Sequence, residues 1–141
     1  MPIPRWSEAF KLGNEAIDDD HQRLFELLEW LEGKLLREDD LEPPELHRVV
    51  SELNRHVEEH FHREESMMKN LSVMPQSEKN EHQTDHIRWS EKLAANLPSL
   101  VNARTDLERR GHLARLLLIG KAFWAEHFIE FDQKLAGFLK P

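Results

Sequence analysis

Residues 59–68, EHFHREESMM, place His60 and Glu64 four positions apart on a stripe otherwise occupied by leucine and valine. Residues 82–86, HQTDH, repeat that spacing with His82 and His86, and residues 127–132, HFIEFD, set His127 ahead of Asp132. His21 lies on a fourth apolar stripe, in DDDHQRLF. On a helix, side chains four apart point to the same place, and neutral imidazole is the commonest metal ligand. Left without a partner, each such buried group costs about 2 kcal/mol or more. A metal ion removes that cost. One histidine on an apolar face is ordinarily a hydrogen-bonded core residue. Histidines on every apolar stripe of the chain, joined by a core glutamate, point instead to metal coordination.

The totals narrow the chemistry. The chain has 141 residues, enough for one domain with a full hydrophobic core. Its net charge is −8, which argues against a nucleic-acid or anionic-membrane partner. Cysteine is absent, so disulfides, thiolate nucleophiles and sulfur-ligated metals are excluded. MPIPRWSEAF lacks the apolar run of a signal peptide, and LLLIG at 116–120 is too short to span a bilayer. A cytoplasmic protein, most simply a monomer, is expected. Nine histidines in such a chain call for a reason.

The elements that must position them read as helices throughout. Helical periodicity predicts segments from about Asp19 to Arg37, from about Pro44 to Asn70, from about Ser77 to Leu97, and from about Thr105 to Phe138. Pro98 is expected to end the third, and Thr105 with Glu108 to cap the fourth as a capping box. Gly111 and Gly120 are expected to weaken or bend the fourth. Short connections predict an all-α, up-down-up-down four-helix bundle over about residues 17–139, preceded by an arm over about 1–16 that carries Trp6.

The stripes read Ile17, His21, Leu24, Leu28, Leu31, Leu35; then Leu46, Val50, Leu53, Val57, His60, Glu64, Met67, Leu71; then His82, His86, Trp89, Leu93. The last is Leu113, Leu116, Gly120, Trp124, His127, Phe131, Leu135. In antiparallel order every polar member falls at the same end of the bundle. Asp132 fits less simply, because five positions turn a regular helix by about 140°. It and His127 reach one ion only from opposite sides or after local unwinding, which suits a carboxylate shared between two ions. Five imidazoles and two carboxylates exceed the needs of one ion and suit two. Glu64 and Asp132 then bridge, one ion takes three histidines and the other two, and an oxygen joins them. The second ion keeps an open position. The ligand types fit iron, with zinc, manganese and copper left open.

Over about residues 5–139 the sequence resembles the hemerythrins, specifically the bacterial ones. RWSEAFKLGNEAIDDDHQRLF is similar to the family's arm and first histidine, and HFHREESMM to its H-F-x-x-E-E-x-x-M segment. HQTDH and HFIEFD supply H-x-x-x-H and H-x-x-x-x-D. The resemblance implies a non-haem centre of two iron ions, Fe2+ or Fe3+, with an oxo or hydroxo bridge, that binds dioxygen reversibly. His82, His86 and His127 would hold one iron and His21 and His60 the one with the open site, with Glu64 and Asp132 bridging. It also implies an oxygen carrier, for storage or delivery, rather than an enzyme, with an oxygen-using enzyme in trans as its partner. Trp89, Trp124, Phe61 and Phe128 are candidates for lining the gas pocket.

The chain departs from the family pattern at Trp124, where many relatives have leucine, at His56, where bacterial members often have tyrosine, and at Met74–Pro75 in place of Tyr-Pro. Trp124 is expected to narrow the pocket. His47, His56, His62 and His112 read as surface or supporting residues. Rival readings are a di-iron oxidase or peroxidase, an oxygen or redox sensor, and metal storage.

Overall fold

The computed structural model describes residues 6–37 and 42–139. The first residues of the expected arm and part of the charged first connection, at 38–41, lie outside the described residues. After a short 3-10 turn at Glu8–Phe10 come the long helices α1 (Glu15–Leu36), α2 (Pro43–Lys69) and α3 (Gln76–Val101). The fourth limb of the bundle is α4 (Asp106–Phe123), a π-helical stretch (Trp124–Asp132) and α5 (Gln133–Leu139).

Local chemistry sets where these helices begin. Gly13, at φ 93°, takes the left-handed conformation that leads into α1. The Asn14 side chain then caps the helix by accepting from the Ile17 amide at 3.1 Å. One turn in, Asp18 accepts from the Leu12 and Gly13 amides at 2.7 and 3.2 Å, which ties the arm to α1. Prolines occupy the first turn of α2, where their missing N–H costs nothing. Thr105 caps α4 by accepting from the Glu108 amide at 3.1 Å. Glu108 reaches back to the Arg104 amide at 2.8 Å, one residue earlier than in the expected capping box.

One expectation about the helices is corrected. Pro98 does not end α3, which runs on to Val101. Proline removes one backbone hydrogen bond there, but Leu100 is buried in the core and the Asn102 amide closes the turn onto the Pro98 carbonyl at 2.9 Å. Helix α4 is continuous through Gly111 and Gly120, and the departure from regular helix falls at 124–132. At Gly120 a Cβ would meet both Leu28 methyls at 3.0 Å, so glycine here allows α4 to lie close to α1.

Helix α1 packs against α2 and α4, and α3 packs against α2 and α4, giving the four-cornered bundle expected of the topology. The apolar stripes face inward as read, with Leu35, Leu71, Trp124 and Phe131 only partly buried and Met68 rather than Met67 the fully buried methionine at the end of α2. The core has two parts. The larger runs from the Leu24 and Val57 level to Leu46 and Leu113 at the far end. The smaller is Ile17, Met68, Met74 and Leu135. Every one of the polar stripe residues falls in the layer between these two parts. Among the described residues no helix is long and apolar enough to cross a membrane.

Candidate metal centre

That polar layer holds all seven residues singled out in the sequence. His21, His82, His86, His127, Glu64 and Asp132 are 2% exposed or less, and His60 is 3% exposed. Their donor atoms form two overlapping groups, each with all atoms within 4.8 Å of one another. The first is Glu64, His82, His86, His127 and Asp132, and the second is His21, His60, Glu64 and Asp132. The two carboxylates belong to both.

Each carboxylate faces both sets of imidazoles. Asp132 Oδ2 lies 3.0 Å from His21 Nε2, and its Oδ1 lies 3.0 Å from His127 Nε2 and 3.4 Å from His82 Nε2. Glu64 Oε1 lies 3.3 Å from His60 Nε2, 3.1 Å from His86 Nε2 and 3.6 Å from His82 Nε2. The placement of Asp132 follows from the π-helical stretch. Its i to i+5 bonding, as between the Gln133 amide and the Phe128 carbonyl, widens the turn so that residues five apart stand nearly in line. The local unwinding that the spacing of His127 and Asp132 requires is therefore present.

Hydrogen bonding alone leaves this layer unsatisfied. His60 Nε2, His82 Nε2, His127 Nε2, Glu64 Oε2 and Asp132 Oδ1 are fully buried and lack a hydrogen-bond partner. Orphaned donors and acceptors at this density are rare in a native core. Imidazole nitrogens and carboxylate oxygens aimed at common points are the donor set of a divalent or trivalent metal ion, so the residues fit a metal centre.

The electrostatics agree. Burial by itself would raise the Glu64 carboxyl, but the surrounding imidazoles outweigh it and hold the group well below its ordinary value. Burial would likewise lower His127, yet the facing Asp132 charge and the bond that His127 Nδ1 donates to Asp85 keep it well above. His86, with burial dominant, is lowered to about 4, so it stands as a neutral donor at physiological pH.

Two residues that the motif spacings do not point to support the layer. Asp85 Oδ2 accepts from His127 Nδ1 at 2.7 Å and from Trp89 Nε1 at 3.0 Å. Asp20 Oδ2 accepts from His60 Nδ1 at 2.9 Å and from Arg63. Each fixes the ring so that Nε2 faces the cluster. Their signal in the sequence was adjacency: each acid immediately precedes a histidine of the layer on its own helix, and serves a histidine on a neighbouring helix. His56 donates to or accepts nothing from the seven; its Nε2 lies 2.8 Å from the Asp20 carbonyl.

The four aromatic candidates all border the layer, on two sides. Phe61 stacks on His86, with ring centroids 4.0 Å apart, and Trp89 donates to Asp85, which holds His127. Phe128 and Trp124 stack on each other at 3.9 Å and stand edge-on to His21 at 5.3 and 5.5 Å. Phe123 and Phe131, absent from the expected set, stack on His127 at 5.0 and 5.4 Å.

Comparison with curated proteins finds no match. Residues 12–138 match the family model described as the hemerythrin HHE cation-binding domain. That span includes the whole polar layer and all the helices that carry it, and the chain belongs to the hemerythrin family.

Proposed function

We propose that the protein binds dioxygen reversibly at a centre of two iron ions. The observation that carries this reading is the inequality of the two donor groups. They share Glu64 and Asp132, but one has three imidazoles and the other only His21 and His60. An ion held by the second group would be one ligand short, and that vacancy is where dioxygen would bind. When bound, iron would supply the electrons that dioxygen takes up on binding and returns on leaving.

The chain's own residues do the rest. Glu64 and Asp132 hold the two positions at a fixed separation, and Asp20 and Asp85 keep His60 and His127 turned towards them. The apolar clusters on either side exclude water, which suppresses loss of the gas in a reduced, charged form. Histidine-rich ligation distinguishes the layer from oxygen-activating bundles built mainly on carboxylates with paired E-x-x-H motifs. A carrier that stores oxygen or hands it to an oxygen-using enzyme fits this better than an oxidase or peroxidase.

The test is anaerobic loading with ferrous iron, followed by absorption spectra before air, in air, and after air is removed. Two irons per chain and a visible band that comes and goes with oxygen are expected. Fewer than two metal ions after loading, or substrate-dependent turnover without a stable oxygenated form, would overturn the reading.

A further inference from the structure

Each donor group contains one imidazole whose far nitrogen is bonded to a carboxylate. His60 Nδ1 donates to Asp20 at 2.9 Å, and His127 Nδ1 to Asp85 at 2.7 Å. The Nδ1 atoms of His21, His82 and His86 are buried and lack a hydrogen-bond partner. A carboxylate on Nδ1 makes the opposite nitrogen a more basic ligand. His60 and His127 are therefore the strong donors of their groups.

Neither carboxylate ends the line of bonds, because each also meets an arginine that reaches solvent. Arg63, on α2, bonds to the same Asp20 oxygen that His60 uses. Arg88, on α3, lies 3.4 Å from the Asp85 oxygen that His127 leaves free. The two arginines are similarly exposed, at 42% and 49%. They differ in what else they hold, since Arg88 also reaches Glu126 at 3.4 Å. Asp20 is further fixed by its carbonyl, which His56 Nε2 meets at 2.8 Å. A guanidinium offsets part of the negative charge of the carboxylate it touches. It therefore opposes the pull of that carboxylate on the imidazole.

We propose that Arg63 is a positioning residue that acts through Asp20 to hold down the donor strength of His60. Arg88 acts in the same way, and more weakly, on His127 through Asp85. That these imidazoles are ligands rests on the centre proposed above. The opposition of acid and arginine rests on the bonds around each carboxylate.

Acid and arginine are expected to act with opposite sign. In zinc-loaded protein titrated against a competing chelator, Asp20→Asn is expected to weaken metal binding by about 10–100-fold. Arg63→Gln is expected to tighten it by about threefold, and Arg63→Lys, which keeps the charge, to stay near wild type. The gain from Arg63→Gln should shrink at high salt and in the Asp20→Asn background, and should exceed that from Arg88→Gln. In iron-loaded protein the same variants should move the reduction potential, up for Asp20→Asn and down for Arg63→Gln, because a stronger donor favours the oxidised ion. Weaker zinc binding in both Asp20→Asn and Arg63→Gln, as for two residues that only brace the ring, overturns the proposal. So does an Arg63→Gln effect undiminished by the loss of the Asp20 carboxylate. If iron-loaded protein shows no oxygen-dependent spectrum, the dioxygen reading fails, and the zinc titrations still decide what Arg63 does.

Discussion

At the scale of the residue, the layer depends on carboxylates that do not themselves join the cluster of donors. Asp85 holds His127 by its Nδ1 at 2.7 Å, and helps keep that imidazole protonated in the metal-free protein after burial and Asp132 have acted. Protons must leave before a metal binds. Because the His127 pKa is raised, proton competition begins at a higher pH than for a free imidazole, near 6.5. Metal affinity, measured against a competing chelator, is expected to fall as pH is lowered from about 8 to about 6, by about tenfold per unit for each proton displaced. Asp85→Asn should weaken metal binding by about 10–100-fold at the upper end of that range and flatten the pH dependence. A loss of affinity with the slope unchanged would show that Asp85 only packs. Trp124 covers His21 edge-on and stacks on Phe128. Its replacement by leucine is expected to open that side and raise both oxygen association and autoxidation rates; stopped-flow traces identical to wild type would remove Trp124 from any role in access.

At the scale of the element, the feature that matters is the π-helical stretch at Trp124–Asp132. A π turn carries one residue more than an α turn, so it holds His127 and Asp132 in line at a spacing that a regular helix would splay apart. Deleting the exposed Glu130 should restore α-helical register without turning Asp132 away from His127, because four residues of α-helix complete nearly the same rotation. Deleting the exposed Thr84 from regular α3 has no such compensation, and rotates His86, Trp89 and Leu93 by about 100° against His82. Bound metal per chain is therefore expected to survive the first deletion and to be lost in the second. Loss in both would mean that the π turn sets more than the register.

At the scale of the whole molecule, the polar layer sits between two apolar clusters, and its stability is tied to its cargo. Without metal the buried orphan atoms carry an uncompensated desolvation cost. A ligand held a thousandfold above its dissociation constant adds about 4 kcal/mol to folding stability. For a chain this long that corresponds to roughly 10 °C or more in melting temperature. Stripping metal with a chelator is expected to lower the melting temperature by that order, and Glu64→Ala, which removes a donor common to both groups, should abolish the difference. Equal melting curves for loaded and stripped wild type would contradict the coupling.

The sequence alone determined the helical stripes and the histidines on them, because amphipathic periodicity and metal-type spacing are local properties of the chain. It showed that His60 and Glu64, and His82 and His86, share a helix face, and that all the polar stripe residues belong at one level of an antiparallel bundle. It did not determine how His127 and Asp132 share a site, since regular helical geometry separates them and the remedy is a backbone distortion that no residue type announces. Nor did it separate Asp20 and Asp85 from ordinary surface acids, because each serves a histidine on another helix. Pro98 misled for the same reason: its local cost is outweighed by the burial of Leu100. Contacts between helices are set by how side chains from distant segments fill a common space, and only the tertiary structure decides that.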